Sequence, residues 1–225
     1  MDIFRIHCVS WEMSIFYSVG FAAVFGERRC VRSRIPLEGN NLQSIYFFSG
    51  PCGSGKTTLA KAYAEYLANQ GGGRPVYLIH GDCFHDGFVE PDAASSGNMQ
   101  AAGCLPWAEI LKFNWKCIIG VADEALRRGL DVVIDYVVED ELPLVCRLAE
   151  VHGAELHYTV LTASAESIER RIRGRGDTDL IERALYLKDK LERAPENRGH
   201  LLDNTGLSVG EQIAILQAED FTYKW

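Results

Sequence analysis

The chain has 225 residues and is 47% hydrophobic, which is enough for one α/β domain with a buried core. Its formal net charge of −8 argues against a nucleic-acid partner, because such partners usually need a basic face. The seven cysteines include no C-x-x-C pair, which argues against a zinc or redox site and is typical of reduced thiols in the cytoplasm.

The first 43 residues show no pattern that joins them to the rest of the chain. Their apolar run over residues 15–25 is 11 residues long, whereas a transmembrane helix needs about 17–25. Glu12 comes just before this run and four arginines follow it, at positions 28, 29, 32 and 34, whereas a secretory signal carries its positive charges before the apolar run. We therefore predict an N-terminal extension over residues 1–43 that is poorly ordered, and no transmembrane segment. An anchor on a membrane surface is the alternative.

A phosphate-binding loop follows a β-prone apolar run at residues 45–48 and precedes a predicted helix at 56–69. Glycines permit close approach of backbone N–H groups to phosphate oxygens. Lys56 supplies a positive charge for the β- and γ-phosphates, and the hydroxyl of Thr57 suits Mg²⁺. The predicted nucleotide-binding residues fit the pattern G-x-x-x-x-G-K-[ST] and are Gly50, Pro51, Cys52, Gly53, Ser54, Gly55, Lys56, Thr57 and Thr58.

The second strand is predicted over residues 76–80, and Asp82 follows its end. A carboxylate in that position can accept the proton of a substrate hydroxyl, and a turn or helix cap is the alternative role. Residues 87–105 are rich in Gly, Ala, Ser and Asp without periodicity, which predicts a mobile surface segment. A helix is predicted over residues 107–128, with Trp115 on its apolar face.

The third strand is predicted over residues 131–138, and its apolar run indicates burial on both faces. Asp135 follows Val132-Val133-Ile134, which is the setting of an acid that holds Mg²⁺ beside the phosphate loop. A structural aspartate at a strand end is the alternative.

The rest of the chain continues the alternation, with helices near 141–152 and from 179, strands at 156–161 and 200–203, and a last helix that begins with a capping box at 208–211. Ser164 is predicted to cap a helix that Gly174 and Gly176 interrupt. Arg171 and Arg175 share one face of this helix and can close over a transferring phosphoryl group. A solvated charged face is the alternative.

Residues 44–218 resemble the small P-loop kinases, the group with shikimate, gluconate and adenylate kinases and chloramphenicol phosphotransferase. The matching pieces are residues 50–58, 81–85, 132–135, Arg171 with Arg175, and 203–208. The resemblance implies a P-loop NTPase three-layer sandwich with a five-stranded parallel sheet of order 2-3-1-4-5. It also implies a kinase domain over residues 44–225, an acceptor-binding insert at 83–106 and an arginine lid at 170–178.

The same resemblance implies transfer of the γ-phosphate of ATP to the hydroxyl of a small molecule, with Mg²⁺. It assigns Lys56, Asp82, Arg171 and Arg175 to catalysis and Thr57 with Asp135 to the metal. It also places Asn204 and Thr205 near the adenine.

The sequence departs from the family in its insert, which has no arginine or lysine between residues 86 and 105. We therefore expect a neutral or cationic acceptor such as a sugar derivative or an antibiotic. Aromatic residues around the insert either line an apolar acceptor pocket or lie in the core: Phe84, His85, Phe88, Trp107 and Phe113.

Two other functions remain open at this point. A kinase of nucleotide-sugars, similar to the zeta toxins, would need basic residues for the acceptor's phosphates. A nucleotide-dependent ATPase or binding switch is the other, although the guanine motif N-K-x-D of GTPases is missing from the sequence. The sequence sets neither the acceptor nor the oligomeric state.

Overall fold

The structure, a computed structural model, describes residues 42–70, 74–88 and 105–225. Five parallel strands form one sheet of order β2-β3-β1-β4-β5, which confirms the predicted order. The strands are β1 (Ser44–Ser49), β2 (Val76–His80), β3 (Asp131–Asp135), β4 (Glu155–Thr162) and β5 (Leu201–Asp203).

Helices alternate with these strands, as the sequence predicts. They are α1 (Lys56–Ala68), α2 (Trp107–Arg127), α3 (Leu142–His152), α4 (Ala165–Arg175), α5 (Ile181–Arg193) and α6 (Val209–Ala218). Short 3₁₀ turns cover Gly81–Phe84, Thr178–Leu180 and Pro195–Asn197.

The ends of α4 and α6 follow from their capping residues. Ser164 accepts a hydrogen bond from the Ser167 N–H at the start of α4, and Ser208 with Glu211 forms the predicted capping box of α6. The predicted interruption at Gly174 is wrong, because α4 continues through it and ends at Gly176 in the left-handed conformation. Gly174 is exposed, so α4 bears the cost of about 1 kcal/mol for a helical glycine without disturbing its buried face.

The sheet is buried on both faces, which confirms the prediction from its apolar strands. Successive side chains of a strand point to opposite faces, so Ile45 and Phe47 of β1 pack on the side of α2 and α3. Trp115 of α2 belongs to that core and is 3% exposed, as expected. Phe48 packs on the other side against Leu59 of α1.

The register of β1, β2 and β3 places the carboxyl ends of these three strands side by side at one edge of the sheet. Asp135 at the end of β3 pairs with Phe48 of β1 and with His80 of β2. The phosphate loop leaves β1 and Asp82 follows β2 at this same edge. Ligands of open parallel sheets bind at this edge, so the sheet places the predicted site residues where a ligand is expected.

Several predictions lie outside the described residues. These are the extension over residues 1–43, apart from its last two residues, and the insert over residues 89–104. Gln43 is described, and its side-chain amide donates to the carbonyls of Leu126 and Leu130 at 2.8 and 2.9 Å. In the described ranges, no helix is both long and apolar enough to cross a bilayer.

Gly81 supports the turn that carries Asp82, because it packs directly on the ring of Tyr136. A Cβ on Gly81 would lie 2.3 Å from Cδ2 of that ring. We expect Gly81→Ala to displace the turn and to lower the free energy of unfolding by about 1–3 kcal/mol, the cost of overpacking. Urea denaturation measures this change.

The matched control for this variant is Gly120→Ala. Gly120 is exposed on α2, and a Cβ there would meet nothing within 4 Å. That substitution should be neutral or stabilise by up to about 1 kcal/mol, the helix-propensity gain. Equal unfolding free energies for the Gly81→Ala variant and the wild type would contradict the packing argument.

Candidate active site

The phosphate loop needs its glycines for packing as well as for conformation. Gly50, Gly53 and Gly55 have φ angles of 141°, 76° and 96°, in the region that favours glycine. A Cβ on Gly50 would lie 2.4 Å from the carbonyl oxygen of Leu161 in β4. On Gly53 it would lie 2.9 Å from the side chain of Ile172 in α4. The glycines therefore also let the loop lie close to β4 and α4.

Lys56 is the first residue of α1 and folds back over the loop. Its Nζ donates to the carbonyl oxygen of Pro51 at 3.1 Å. Burial lowers the pKa of Lys56, and the charges of Asp82 and Asp135 oppose that shift. The ammonium group is thus partly desolvated, beside the Pro51 carbonyl and within the electrostatic influence of two carboxylates. A bound phosphate could replace the carbonyl as its hydrogen-bond acceptor.

Asp135 is almost fully buried at the end of β3, with its side chain 2% exposed. Its Oδ2 lies 2.7 Å from Nδ1 of His80, which pairs with it in the sheet. His80 was not among the predicted site residues. The sequence feature that could have indicated His80 is its position as a polar residue at the end of an apolar strand. The neighbouring strand of the sheet ends at the predicted metal ligand.

Asp82 lies on the 3₁₀ turn after β2, and its backbone carbonyl accepts from the N–H groups of His85 and Asp86. Its side chain is exposed, yet it lies among groups that exclude part of the solvent. This burial raises the pKa of Asp82, while the charges of Lys56 and His85 lower it. The charges of Lys56 and Asp135 also act on this pKa, so Asp82 lies within electrostatic range of the predicted phosphate-binding lysine and the predicted metal ligand.

A buried amide joins the elements behind Asp82. Asn114 of α2 is fully buried, and its Nδ2 donates to the hydroxyl of Tyr136 at 2.8 Å and lies 3.2 Å from Nδ1 of His85. The residue therefore links α2, the end of β3 and the turn of Asp82. Asn114 was not among the predicted site residues. The sequence feature that could have indicated Asn114 is a polar residue on the apolar face of α2. It lies one helical turn from Ile110 and from Ile118, which are both buried.

Arg171 of α4 contacts the phosphate loop directly. Its Nη1 donates to the carbonyl oxygens of Gly53 and Ser54 at 3.2 and 3.3 Å, and to Oδ1 of Asn204 at 3.1 Å. Burial, with the neighbouring charges of Arg170 and Arg175, lowers the pKa of Arg171. These contacts differ from those of a solvated charged face, so that alternative does not fit Arg171.

Arg175 and Arg173 differ in their surroundings, although both are exposed. Arg173 pairs with Glu169 at 3.4 Å, as a solvated face predicts. The charge of Arg175 contributes, after burial, to the lowered pKa of Lys56. Within the described ranges, Arg175 has no carboxylate partner. Arg175 therefore remains a candidate for contact with phosphate.

Asn204 follows β5 and supports the phosphate loop. Its side chain is buried, and Nδ2 donates to the carbonyl oxygen of Ser54 at 2.7 Å. Proximity of Asn204 to the adenine stays a prediction. Thr205 is exposed, and its Oγ1 accepts from the Ser164 N–H at 2.7 Å.

The residues present fit a magnesium ion that is shared with a nucleotide. The described part of the chain contains no group of three or more His, Cys, Asp or Glu side chains that could hold a metal alone. Mg²⁺ at nucleotide sites typically takes one or two carboxylates together with phosphate oxygens and waters. Thr57 is exposed at the start of α1, and Asp135 supplies a carboxylate at the same edge of the sheet.

The aromatic residues beside Asp82 separate into core and surface. Phe84 is half-buried against the main core. Trp107 and Phe113 are 47% and 45% exposed, so neither is a core residue. Trp107 contacts His85 edge to face at 5.9 Å between ring centroids, and Phe113 contacts Phe88 at 5.1 Å. Exposed aromatic rings therefore lie next to the turn of Asp82.

Comparison with known proteins agrees with this geometry. A family model described as an AAA domain matches residues 45–197, more than half of the chain. No curated protein matches the chain.

Solved structures with the same fold include several kinases. APS kinase CysC of Mycobacterium tuberculosis, in complex with AMPPNP and APS, is 18% identical with a TM-score of 0.53, covering 79% of this chain and 96% of that chain. The tunicamycin resistance protein of Deinococcus radiodurans is 14% identical with a TM-score of 0.52, covering 78% and 94%. A sugar kinase from Janibacter sp. HTCC2649 is 20% identical with a TM-score of 0.50, covering 78% and 92%. The chain therefore belongs to the AAA domain family and has the fold of the small P-loop kinases.

Proposed function

We propose that this protein transfers the γ-phosphate of ATP to a hydroxyl group of a small molecule. The observation that carries the proposal is the convergence of Lys56, Asp82 and Asp135 at one edge of the sheet. The charges of both carboxylates act on the pKa of Lys56, whose helix follows the loop after β1. Asp82 follows β2, and Asp135 ends β3. The shared position of the phosphate loop, the candidate magnesium ligand and the candidate base supports the proposal.

The cationic side chains favour transfer over a binding switch. Phosphoryl transfer depends on positioning and on neutralising the charge of the transferring group. Here Arg171 already lies on the loop and Arg175 lies near Lys56, so this chain supplies its own arginines. An ATPase that works in an oligomer would instead need an arginine from a neighbouring subunit. The missing N-K-x-D motif favours ATP over GTP.

Each residue then has a distinct task. Lys56 neutralises the γ-phosphate, and Asp82 orients the acceptor hydroxyl and takes its proton. Thr57 and Asp135 would hold Mg²⁺, which supplies charge neutralisation across the β- and γ-phosphate oxygens when bound. His80 fixes the orientation of the Asp135 carboxylate through the 2.7 Å contact. Four described cysteines are free, in keeping with the cytoplasmic location that we propose.

A screen of acceptors tests this function. The full chain is incubated with Mg·ATP and a panel of sugars, nucleosides and aminoglycosides, and mass spectrometry detects products that gain one phosphate group. We expect phosphorylated product from at least one hydroxyl compound, and at least about 100-fold less of it from the Lys56→Ala variant. ATP hydrolysis at a rate that no compound of the panel changes, without any phosphorylated product, would support the ATPase alternative and reject the kinase.

The two arginines of the predicted lid should respond differently to removal. Arg175→Ala should lower kcat by about 10²–10³-fold, the loss expected for one preorganised donor to a transition state, with ADP affinity almost unchanged. Arg171→Ala should lower kcat and also weaken ADP binding, because Arg171 holds the carbonyls of Gly53 and Ser54. Steady-state kinetics and calorimetric titration with ADP measure the two effects.

Arg173→Ala is the control for both variants, since Arg173 pairs with Glu169 on the exposed side of α4. It should change neither kcat nor ADP affinity. If Arg175→Ala behaves like this control, the arginines beyond Arg171 belong to a solvated face.

A further inference from the structure

We infer that Asn114 is a positioning residue, which holds the turn that carries Asp82 and thereby fixes the direction of that carboxylate. The inference rests on the proposed function, because it assumes that Asp82 acts on the acceptor hydroxyl. Asn114 itself lies on α2, and its amide binds groups at the two ends of the turn.

The turn that carries Asp82 is too short to hold its own shape. It covers only Gly81–Phe84, and 3₁₀ geometry gives weak hydrogen bonds. The carbonyl oxygen of Asp82 accepts from the N–H groups of His85 and Asp86 at 3.2 and 3.3 Å. Segments with few buried contacts open easily. The direction of Asp82 therefore depends on contacts between the turn and other elements.

The start of the turn rests on the ring of Tyr136. A Cβ on Gly81 would lie 2.3 Å from Cδ2 of that ring, so the backbone and the ring are in direct contact. Burial raises the pKa of Tyr136 to about 12, and the charge of Asp82 adds to this shift, so the phenol lies within electrostatic range of the carboxylate. The hydroxyl of Tyr136 accepts from Nδ2 of Asn114 at 2.8 Å. Asn114 thus holds the ring on which the turn rests.

The same nitrogen reaches the residue that follows the turn. Nδ2 of Asn114 lies 3.2 Å from Nδ1 of His85. Because an amide N–H donates, Nδ1 accepts, and the proton of the neutral ring is on Nε2, which lies 3.4 Å from Oδ1 of Asp86. One side chain of α2 therefore joins both ends of the turn.

The burial of Asn114 indicates why an amide stands in this position. The residue is fully buried on a face of α2 that otherwise carries Ile110, Trp115 and Ile118. An apolar side chain would avoid the cost of burying an amide, which only hydrogen bonds offset. Since those hydrogen bonds go to the two ends of the Asp82 turn, the amide gives that turn a defined position.

Loss of the amide should affect transfer more than nucleotide binding. Displacing a catalytic group by about 1 Å can cost about 100-fold in rate. Asn114→Leu removes both hydrogen bonds with a side chain of similar size, so it should lower kcat by about 10–100-fold. The KM for ATP should stay near the wild-type value, because the amide acts on the turn of Asp82 and Lys56 keeps its place on α1. Steady-state kinetics with the acceptor that the screen identifies measure both quantities.

Hydrogen exchange tests the link to the turn without using activity. Mass spectrometry follows the backbone amides of residues 81–88 in the full chain. These amides should exchange about tenfold faster in Asn114→Leu than in the wild type, as expected when support worth about one hydrogen bond is lost. Unchanged exchange in this segment overturns the inference.

The matched control is Asn197→Leu. Asn197 is also buried, its Oδ1 accepts from the hydroxyl of Tyr158 at 3.1 Å, and its Nδ2 donates to the carbonyl oxygen of Leu191 at 2.9 Å. It precedes β5, at the edge of the sheet opposite Asp82. This variant should lose thermal stability as Asn114→Leu does, yet keep kcat and the exchange of residues 81–88. Equal losses of kcat in the two variants would reflect stability alone and overturn the inference.

A pair of smaller substitutions keeps the test decisive if Asn114→Leu does not fold. Tyr136→Phe removes only the hydroxyl that binds Asn114, and it should lower kcat by about two- to tenfold, the range for one hydrogen bond. Tyr158→Phe removes the corresponding hydroxyl of the control pair and should leave kcat unchanged. Equal kcat values for both variants overturn the inference.

A double-mutant cycle shows whether Asn114 acts through Asp82. In a chain that already carries Asp82→Asn, there is no catalytic carboxylate left to misplace. Adding Asn114→Leu to that chain should therefore lower the remaining transfer by less than about twofold, the usual error of additivity. The full loss of about 10–100-fold in that background would contradict action through Asp82 and overturn the inference.

The exchange measurement separates this inference from the proposed function. Faster exchange of residues 81–88 in Asn114→Leu, with no phosphorylated product from the wild type, would reject the kinase and leave the link between Asn114 and the turn standing. Phosphorylated product at the wild-type rate from Asn114→Leu would keep the kinase and overturn the inference.

Discussion

Lys56→Ala should lower turnover by about 10²–10³-fold or more while the unfolding temperature barely changes. The loss of turnover follows because the ammonium group neutralises the γ-phosphate throughout transfer. The stability is spared because burial already disfavours the charged form, as the lowered pKa of Lys56 shows. Removing the group gives up one hydrogen bond, to Pro51, but also removes that desolvation cost.

Lys61→Ala provides the comparison for this variant. Lys61 lies further along α1 and is exposed, so its removal should leave turnover and stability near the wild-type values. Turnover is followed as ADP release with the acceptor that the screen identifies, and stability is followed by thermal denaturation. Turnover of Lys56→Ala within a few-fold of wild type would reject the loop as the site of transfer.

Asp82→Asn should cut phosphoryl transfer by about 10²–10⁴-fold, the usual contribution of a general base, and leave Mg·ATP affinity near normal. Asp135→Asn should instead raise the Mg²⁺ concentration that activity requires, because Asp135 would hold the ion beside Thr57. Calorimetric titration of Mg·ATP into both variants separates the two roles. Loss of metal binding in Asp82→Asn but not in Asp135→Asn would reverse the assignment.

The pH dependence adds an independent check on Asp82. Burial raises the pKa of this carboxyl, and a base acts only in its deprotonated form. The rate should therefore rise with pH through a pKa above that of an ordinary aspartate, and fall as the pH drops below it. This acid limb should disappear from the pH–rate profile of Asp82→Asn. A profile that keeps the limb would assign it to another group.

The sequence could predict those features that depend on neighbours in the chain. The phosphate loop and the caps of α4 and α6 are local patterns, and each is found where it was expected. The third strand begins at Asp131 as predicted but ends at Asp135, three residues before the predicted end. The order of the sheet came from the resemblance to a known family, and the structure confirms it.

The sequence could not predict contacts between distant residues. Asn114 and His80 take their roles from neighbours on other elements, and Asn204 is buried because the phosphate loop lies over it. Periodicity placed Trp115 in the core, yet the same helix exposes Trp107 at its first turn. Continuity of α4 through Gly174 reflects packing of Ile168 and Ile172 beside it, which outweighs the weak helix propensity of one glycine.

The contacts of Arg171 and Asn204 with the phosphate loop have a consequence during synthesis of the chain. The carbonyl of Ser54 is held by residues that lie 117 and 150 positions further on. A ribosome-bound chain in which the loop has already been synthesised therefore cannot form all the contacts that hold the loop until residue 204 has emerged. Since a ligand stabilises only the state that binds it, ATP in the cell can stabilise the nascent chain after residue 204 has emerged but not its earlier forms.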